Sequence, residues 1–318
     1  MDLNSTVFMF SGQGSQYFHM GRALYDCDHT FREWMIRLDG VAKEVSGLSV
    51  IEALYSGSRS KGDPFDRALL THPAIFMVEY SLAQSVINAG VRPDIVLGVS
   101  MGSFAAAAVA GFIGVEDALT AVTRQAIALE ECCEPGGMIA VLADPALFAE
   151  DFLTGRSELA AVNFSSHFVV SARRADLAEI EEALKERDIG YQRLPVSVPF
   201  HSQWIEGAKA TFESFMRSIR LKRGRLPLAC CDQSTILSDL SDDYFWNVVR
   251  RQIRFRETIE RLERDGPRRY IDLGPSGTLA TFLKYVAPAT TRSTAHAILT
   301  PYRFDRRNLA ALLAAIGR

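Results

Sequence analysis

The sequence predicts an α/β fold: an α/β-hydrolase-like core with a mostly parallel sheet, and a small ferredoxin-like subdomain inserted into it. Three observations support this. Short apolar runs are each followed by a Gly-containing turn and then a helical pattern, the rhythm of strands joined by helical crossovers. The stretch from Pro135 to Pro195 breaks that rhythm with alternating runs around one helix. The 318 residues, 48% hydrophobic and 23% charged, suit one large globular domain carrying an insertion.

Taken in order, Val7–Phe10 is the first buried strand, and Gly12-Gln13-Gly14-Ser15-Gln16 follows it as a turn. Ser56 to Pro64 (SGSRSKGDP) is a polar surface loop by its Gly, Ser and Pro content. His72 to Ala89 has apolar residues three and four apart, as an amphipathic helix does. Ile95–Gly98 is a second buried strand, and the Ala-rich run SFAAAAVAGF after it is a helix. The inserted segment reads as strand Gly137–Leu142, hairpin strands Leu159–Asn163 and Phe168–Ala172, helix Ala175 to Glu186 and strand Tyr191–Val196. Beyond it come strand Leu228–Cys231, a helix from Phe245 to Arg264 and strand Tyr270–Leu273. The expected domains are therefore residues 1–134 with 196–318, and an inserted 135–195.

Thirty-five Lys and Arg against 38 Asp and Glu leave a charge of -3, so nothing in the balance points to nucleic acid or a membrane surface. MDLNSTVFMFSG has no basic n-region, and no run approaches the ~20 apolar residues of a membrane span. A cytoplasmic location with five reduced cysteines follows. Cys132-Cys133 and Cys230-Cys231 are adjacent pairs without a His at ligand spacing; they read as small core residues, and no metal is expected.

The strongest chemical signal is Gly98-Val99-Ser100-Met101-Gly102, a GxSxG between a buried strand and a helix. Flanking glycines permit the sharp turn that exposes a serine hydroxyl, and the helix N-terminus favours developing negative charge. The alternative is a tight turn with a capping serine. The GQGSQ loop can present N–H groups at the strand ends as an oxyanion hole with the N–H of Met101, or merely supply a strand-to-helix turn. A serine needs a base. Of six histidines, His201 lies just past the insertion, where the chain returns to the cleft; His19, His29, His72, His167 and His296 sit in contexts that suggest surface or capping roles.

FMFSGQGSQ, GVSMGSFAAAAVAG, VPFHS and IDLGPSGTLATF, in that order, resemble the malonyl-CoA:acyl carrier protein transacylases and the acyltransferase domains of polyketide synthases. The resemblance implies Ser100 as acylated nucleophile, His201 as base, and the N–H groups of Gln13 and Met101 as oxyanion hole. It also implies a main-chain carbonyl near Val248 to orient the histidine, in place of an acidic residue. Malonyl-handling relatives have arginine where this chain has Gln125, histidine at Val99 and glutamate at Ser103. An arginine fork pairs a free carboxylate, whereas glutamine brings no charge.

With TRQAIALEECC and YIDLGPSGTLA, these departures make the chain similar to the free-standing acyl hydrolases of trans-acyltransferase polyketide synthases. Such a protein clears acyl groups from carrier proteins, with the phosphopantetheine arm as part of the substrate, no permanently bound cofactor and acyl carrier protein domains as partners. A monomer is expected. Phe200 is expected to shape the acyl pocket together with Gln125, and Arg250, Arg251, Arg254 and Arg256 to form a solvated face or to meet an acidic carrier protein. Three other readings stay open. These are an acyl transferase loading a carrier protein, a serine hydrolase with a Ser-Asp-His triad, and a catalytically silent docking partner.

Overall fold

The computed structural model describes residues 5–302 and 304–317, so the ends of the expected 1–134 and 196–318 segments lie outside the described residues. Its strands are β1 (Thr6–Phe10), β2 (Ile95–Gly98), β3 (Gly136–Val141), β4 (Ser157–Phe164), β5 (His167–Arg173), β6 (Tyr191–Arg193), β7 (Leu228–Cys230), β8 (Thr235–Leu237), β9 (Arg269–Asp272) and β10 (Thr294–Ala297). Six of them form a sheet in the order β10-β9-β1-β2-β7-β8, parallel except for the β7–β8 hairpin at one edge. Every residue of β1 and β2 is buried, as expected of central parallel strands covered by helices on both faces. In register, Phe10 stands opposite Gly98, so the loops leaving β1 and β2 emerge side by side at the carboxyl edge of the sheet. That edge is where open α/β sheets place their ligands.

The remaining four strands make an antiparallel sheet ordered β4-β5-β3-β6, the ferredoxin-like arrangement. Two short helical turns, Pro145–Ala149 and Asp151–Thr154, replace the first helix of that arrangement and were not legible as such in the sequence. One face of this sheet packs Ile139, Val141, Phe168, Val170 and Ala172 against Leu177, Ile180 and Leu184 of helix Arg174–Glu186, forming a second core. Met138, Ala140 and Val169 point the other way and join the main core. This is the period-two alternation of a pleated strand put to two uses.

Two expectations need correction. The single helix from Phe245 to Arg264 is two helices, Tyr244–Arg250 and Phe255–Arg264. Between them the chain steps out to pair with β4: Val162 donates to the Ile253 carbonyl at 3.0 Å and Ile253 donates to the Ala160 carbonyl at 2.8 Å. Cys132 is exposed at the end of helix Val115–Cys132, whereas Cys230 and Cys231 are the buried core residues expected. No helix among the described residues is long and apolar enough to cross a membrane.

Candidate active site

Ser100 sits where β2 turns into helix Gly102–Ala110, with a φ of 54°, a left-handed conformation that non-glycine residues seldom adopt. Only glycine fits at the flanks. A Cβ at Gly98 would run into the backbone of Ser103, and one at Gly102 into the carbonyls of Phe10 and Ser11. The elbow is thus wedged against the end of β1, which brings the GQGSQ loop beside the serine.

His201 shares the unusual geometry, with a φ of 60°. Its own N–H donates to the Val249 carbonyl at 3.0 Å, and the preceding carbonyl, that of Phe200, accepts from Ser171 Oγ of β5. Nδ1 lies 2.6 Å from the carbonyl oxygen of Arg251. A carbonyl can only accept, so Nδ1 carries the proton and Nε2 is left with a lone pair. Ser100 Oγ donates to that Nε2 at 2.8 Å. Burial lowers the histidine pKa to about 4, more than the Arg251 carbonyl raises it, so the ring is neutral and basic at ordinary pH. The carbonyl belongs to Arg251 and not to Val248. Val248 lies within helix Tyr244–Arg250, while Arg251 is the first extended residue after it, with φ −84° and ψ 159°, and its carbonyl is turned out of the helix.

The serine and histidine open on a cavity of about 330 Å³. It is lined by the Ser11–Ser15 loop, Val99, Phe200 and Ile253, by Met138, Ala140, Ala161 and Val169 of the small sheet, and by Leu279 and Phe282, the last packed against His167 of the β4–β5 hairpin. Among the described residues lining it there is no lysine or arginine. Gln13 lies on the wall, its side-chain amide drawn to Thr71 Oγ1 at 2.6 Å. The backbone N–H groups of Gln13 and Met101 have no protein acceptor among the described residues. The loop is pinned further by Gln16, which accepts from the Gly14 N–H at 2.7 Å and donates to the Phe65 and Pro195 carbonyls at 2.8 Å each.

Of the residues expected at the site, the structure gathers Ser100, His201, Gln13 and Phe200 around the cavity, with Met101 buried just behind the serine. Gln125 is not on its wall. It is wholly buried in helix Val115–Cys132, where Nε2 donates to the Phe245 carbonyl at 3.4 Å and Oε1 has no partner among the described residues. That tether holds the amide against helix Tyr244–Arg250.

Two histidines were misplaced by sequence reasoning. His72 is fully buried beside Phe200, ring centroids 5.4 Å apart, and burial lowers its pKa to about 4. His167 lines the cavity, its Nδ1 3.1 Å from Asn163 Nδ2 across the β4–β5 hairpin. The signal for His167 was available: a polar hairpin tip (NFSSH) between two alternating strands aimed at the cleft. His201 also lines a second cavity, of about 470 Å³, together with Glu158, Asp232, Arg250, Arg251 and Arg254.

Residues 7–316 match the model of the acyl transferase domain family. The chain is 43% identical over 304 residues to the polyketide biosynthesis acyltransferase homolog BaeD of Bacillus velezensis, covering 95% of this chain and 94% of that one. It is 42% identical, with the same coverage, to the acyltransferase homolog PksD of Bacillus subtilis. Among solved structures, a loading acyltransferase from the avermectin modular polyketide synthase superposes with a TM-score of 0.90 at 27% identity, over 98% of this chain and 100% of that one.

Proposed function

The chain belongs to the acyl transferase domain family, and with that as premise we propose that it is an acyl hydrolase of polyketide biosynthesis. In this reading it removes acyl groups from acyl carrier protein thioesters through an acyl-Ser100 intermediate. The observation that carries the reading is the Ser100–His201 hydrogen bond on the wall of a largely apolar cavity lined, among the described residues, by no lysine or arginine.

Ser100 Oγ attacks the thioester carbonyl carbon while its proton passes to His201 Nε2. The Arg251 carbonyl stabilises the imidazolium that forms, through the bond to Nδ1–H. The oxyanion of the tetrahedral intermediate is received by the N–H groups of Gln13 and Met101. Collapse breaks the C–S bond; the phosphopantetheine thiolate leaves and takes the proton from His201. Water then attacks the acyl-serine, gives its proton to His201, and the free acid departs as Ser100 is reprotonated.

A malonyl group would bring a free carboxylate into this cavity with no lysine or arginine to pair it, at a desolvation cost on the order of several kcal/mol. Neutral acyl groups carry no such penalty. Arg250, Arg251 and Arg254 rim the second cavity and are in reach of an acidic carrier protein. The enzyme is read as a cytoplasmic monomer that needs no resident cofactor; light scattering checks its size.

The test incubates the protein with acetyl-, longer acyl- and malonyl-carrier protein and follows free acid and transferred acyl group by mass spectrometry. Free acid from the neutral substrates is expected. Preference for malonyl thioesters, with transfer to a second carrier protein outpacing hydrolysis, would show a loading transferase instead.

A further inference from the structure

Beneath the candidate oxyanion loop lies a carboxyl group that the reaction scheme leaves unused. Glu79, in helix Ala68–Asn88, is wholly buried. Its Oε1 accepts from the Ser11 N–H at 2.6 Å and from Ser11 Oγ at 2.9 Å. The one Ser11 Oγ proton is shared between Glu79 Oε1 and Ser15 Oγ, also 2.9 Å away, and Ser15 Oγ donates to the Gly12 carbonyl at 2.8 Å. These bonds run from one end of the Ser11–Ser15 loop to the other, with Gln13 at its centre.

Packing does not call for an acid here. Phe76, Met77, Val78 and Leu82 of the same helix are wholly buried apolar residues, and a methionine or leucine would fill the volume of Glu79 without the cost of burying a carboxyl. What the acid adds is one oxygen able to accept two hydrogen bonds from the residue that begins the loop.

We propose that Glu79 is a positioning residue of the active site, which through Ser11 holds the Ser11–Ser15 loop so that the Gln13 N–H faces the oxyanion formed at Ser100. The proposal rests on the serine-nucleophile reading above. A second buried acid secures the turn packed against Ser11 in the same manner: Asp272 accepts from the Gly274 and Ala280 N–H groups at 2.9 Å each, fixing the turn that carries Ser276, Thr278 and Leu279 to the cavity. Burial and the neighbouring Asp272 both raise the Glu79 pKa and so favour its neutral form. Glutamine copies the shape and the acceptor oxygen of that form.

The experiment measures kcat and KM for acetyl-pantetheine hydrolysis, and the rate at which a fluorophosphonate labels Ser100, in wild-type protein and in Glu79→Ala, Glu79→Gln and Ser11→Ala. Glu79→Ala should lower kcat on the order of 100-fold, the scale of one lost oxyanion donor. KM should stay unchanged, because the lost interaction is made only in the transition state. Labelling should slow in proportion, and Glu79→Gln should recover both rates. A folded Glu79→Ala protein with wild-type kcat, or one impaired only in KM, overturns the proposal. Should Glu79→Ala fail to fold, Ser11→Ala decides: lowered kcat at constant KM upholds the proposal, and unchanged kcat overturns it. Wild-type protein in which Ser100 is not labelled at all removes the nucleophile assignment and the proposal with it. Labelling at one rate in wild-type and Glu79→Ala removes the proposal alone.

Discussion

In the six-stranded sheet, β1 and β2 are buried on both faces, and what they offer to a substrate comes only from the loops at their carboxyl ends. In the four-stranded sheet, adjacent residues of one strand have different destinations. Ile139 goes to the small core, while Met138 and Ala140 go to the cavity. The large sheet therefore carries the nucleophile, whereas the small sheet shapes the space for the acyl chain and, through Ser171 of β5 and the pairing of β4 with Ile253, helps to hold the base His201. Turnover and chain selection should be separable by mutation at β3, whose cavity-facing Met138 and Ala140 make no hydrogen bond to Ser100 or His201.

The largest effect is expected at the elbow. Ser100→Ala should abolish fluorophosphonate labelling and reduce turnover on the order of a million-fold, the scale of losing a serine nucleophile. A covalent acyl adduct in that variant, found by mass spectrometry of the digested protein, would place the nucleophile elsewhere.

His201→Ala should cost at least about 100-fold in kcat/KM. The same residue fixes the pH dependence. Its neutral form is the base and burial lowers its pKa to about 4, so kcat/KM should hold steady down through pH 6 and fall only as pH approaches about 4. An acid limb at the ordinary histidine value, in a pH profile with acetyl-pantetheine, would mean that the imidazole is hydrated in the working enzyme.

On the small sheet, Ala140→Leu should reduce hydrolysis of longer acyl thioesters about tenfold relative to acetyl, the scale of a few misfitting methylenes in an apolar pocket. Equal loss for both substrates would show that Ala140 supports the couple and does not measure the chain. One residue back, Ile139→Ala should leave the ratio of long to short substrates unchanged while costing about 2–5 kcal/mol of stability in denaturant unfolding. A change in that ratio would break the division between the two faces of β3.

Much of this was legible in the sequence because it depends on local pattern. Continuous apolar runs mark β1, β2 and β7, the Tyr270-Ile271 pair marks β9, and alternating runs mark the insertion. The glycines of GVSMG are required by close backbone approach, which few other contexts impose. What escaped depends on tertiary contact. Arg251-Gln252-Ile253-Arg254 contains neither glycine nor proline, and the helical spacing runs on through it; only pairing with β4 breaks the helix there, and the break supplies the carbonyl that orients His201. Glu79 escaped because a lone acid in HPAIFMVEYSLA reads as the solvent side of a helix until its partner, Ser11, is seen sixty-eight residues away in sequence. The position of Gln125 was noticed for what it lacks, but its tether to the Phe245 carbonyl was not visible.

The clamp on His201 also has a consequence for synthesis of the chain. The ring is oriented by Arg251, its backbone is held by Val249 and Ser171, and its partner serine lies on the far side of the insertion. A nascent polypeptide that has exposed Ser100 on the ribosome still lacks the carbonyl that sets the imidazole tautomer until residue 251 has emerged. The strand β9, which flanks β1, follows later still. The order of residues along the chain thus delays completion of the Ser100–His201 couple until residue 251 has been made, and any shorter chain lacks the carbonyl that orients the base.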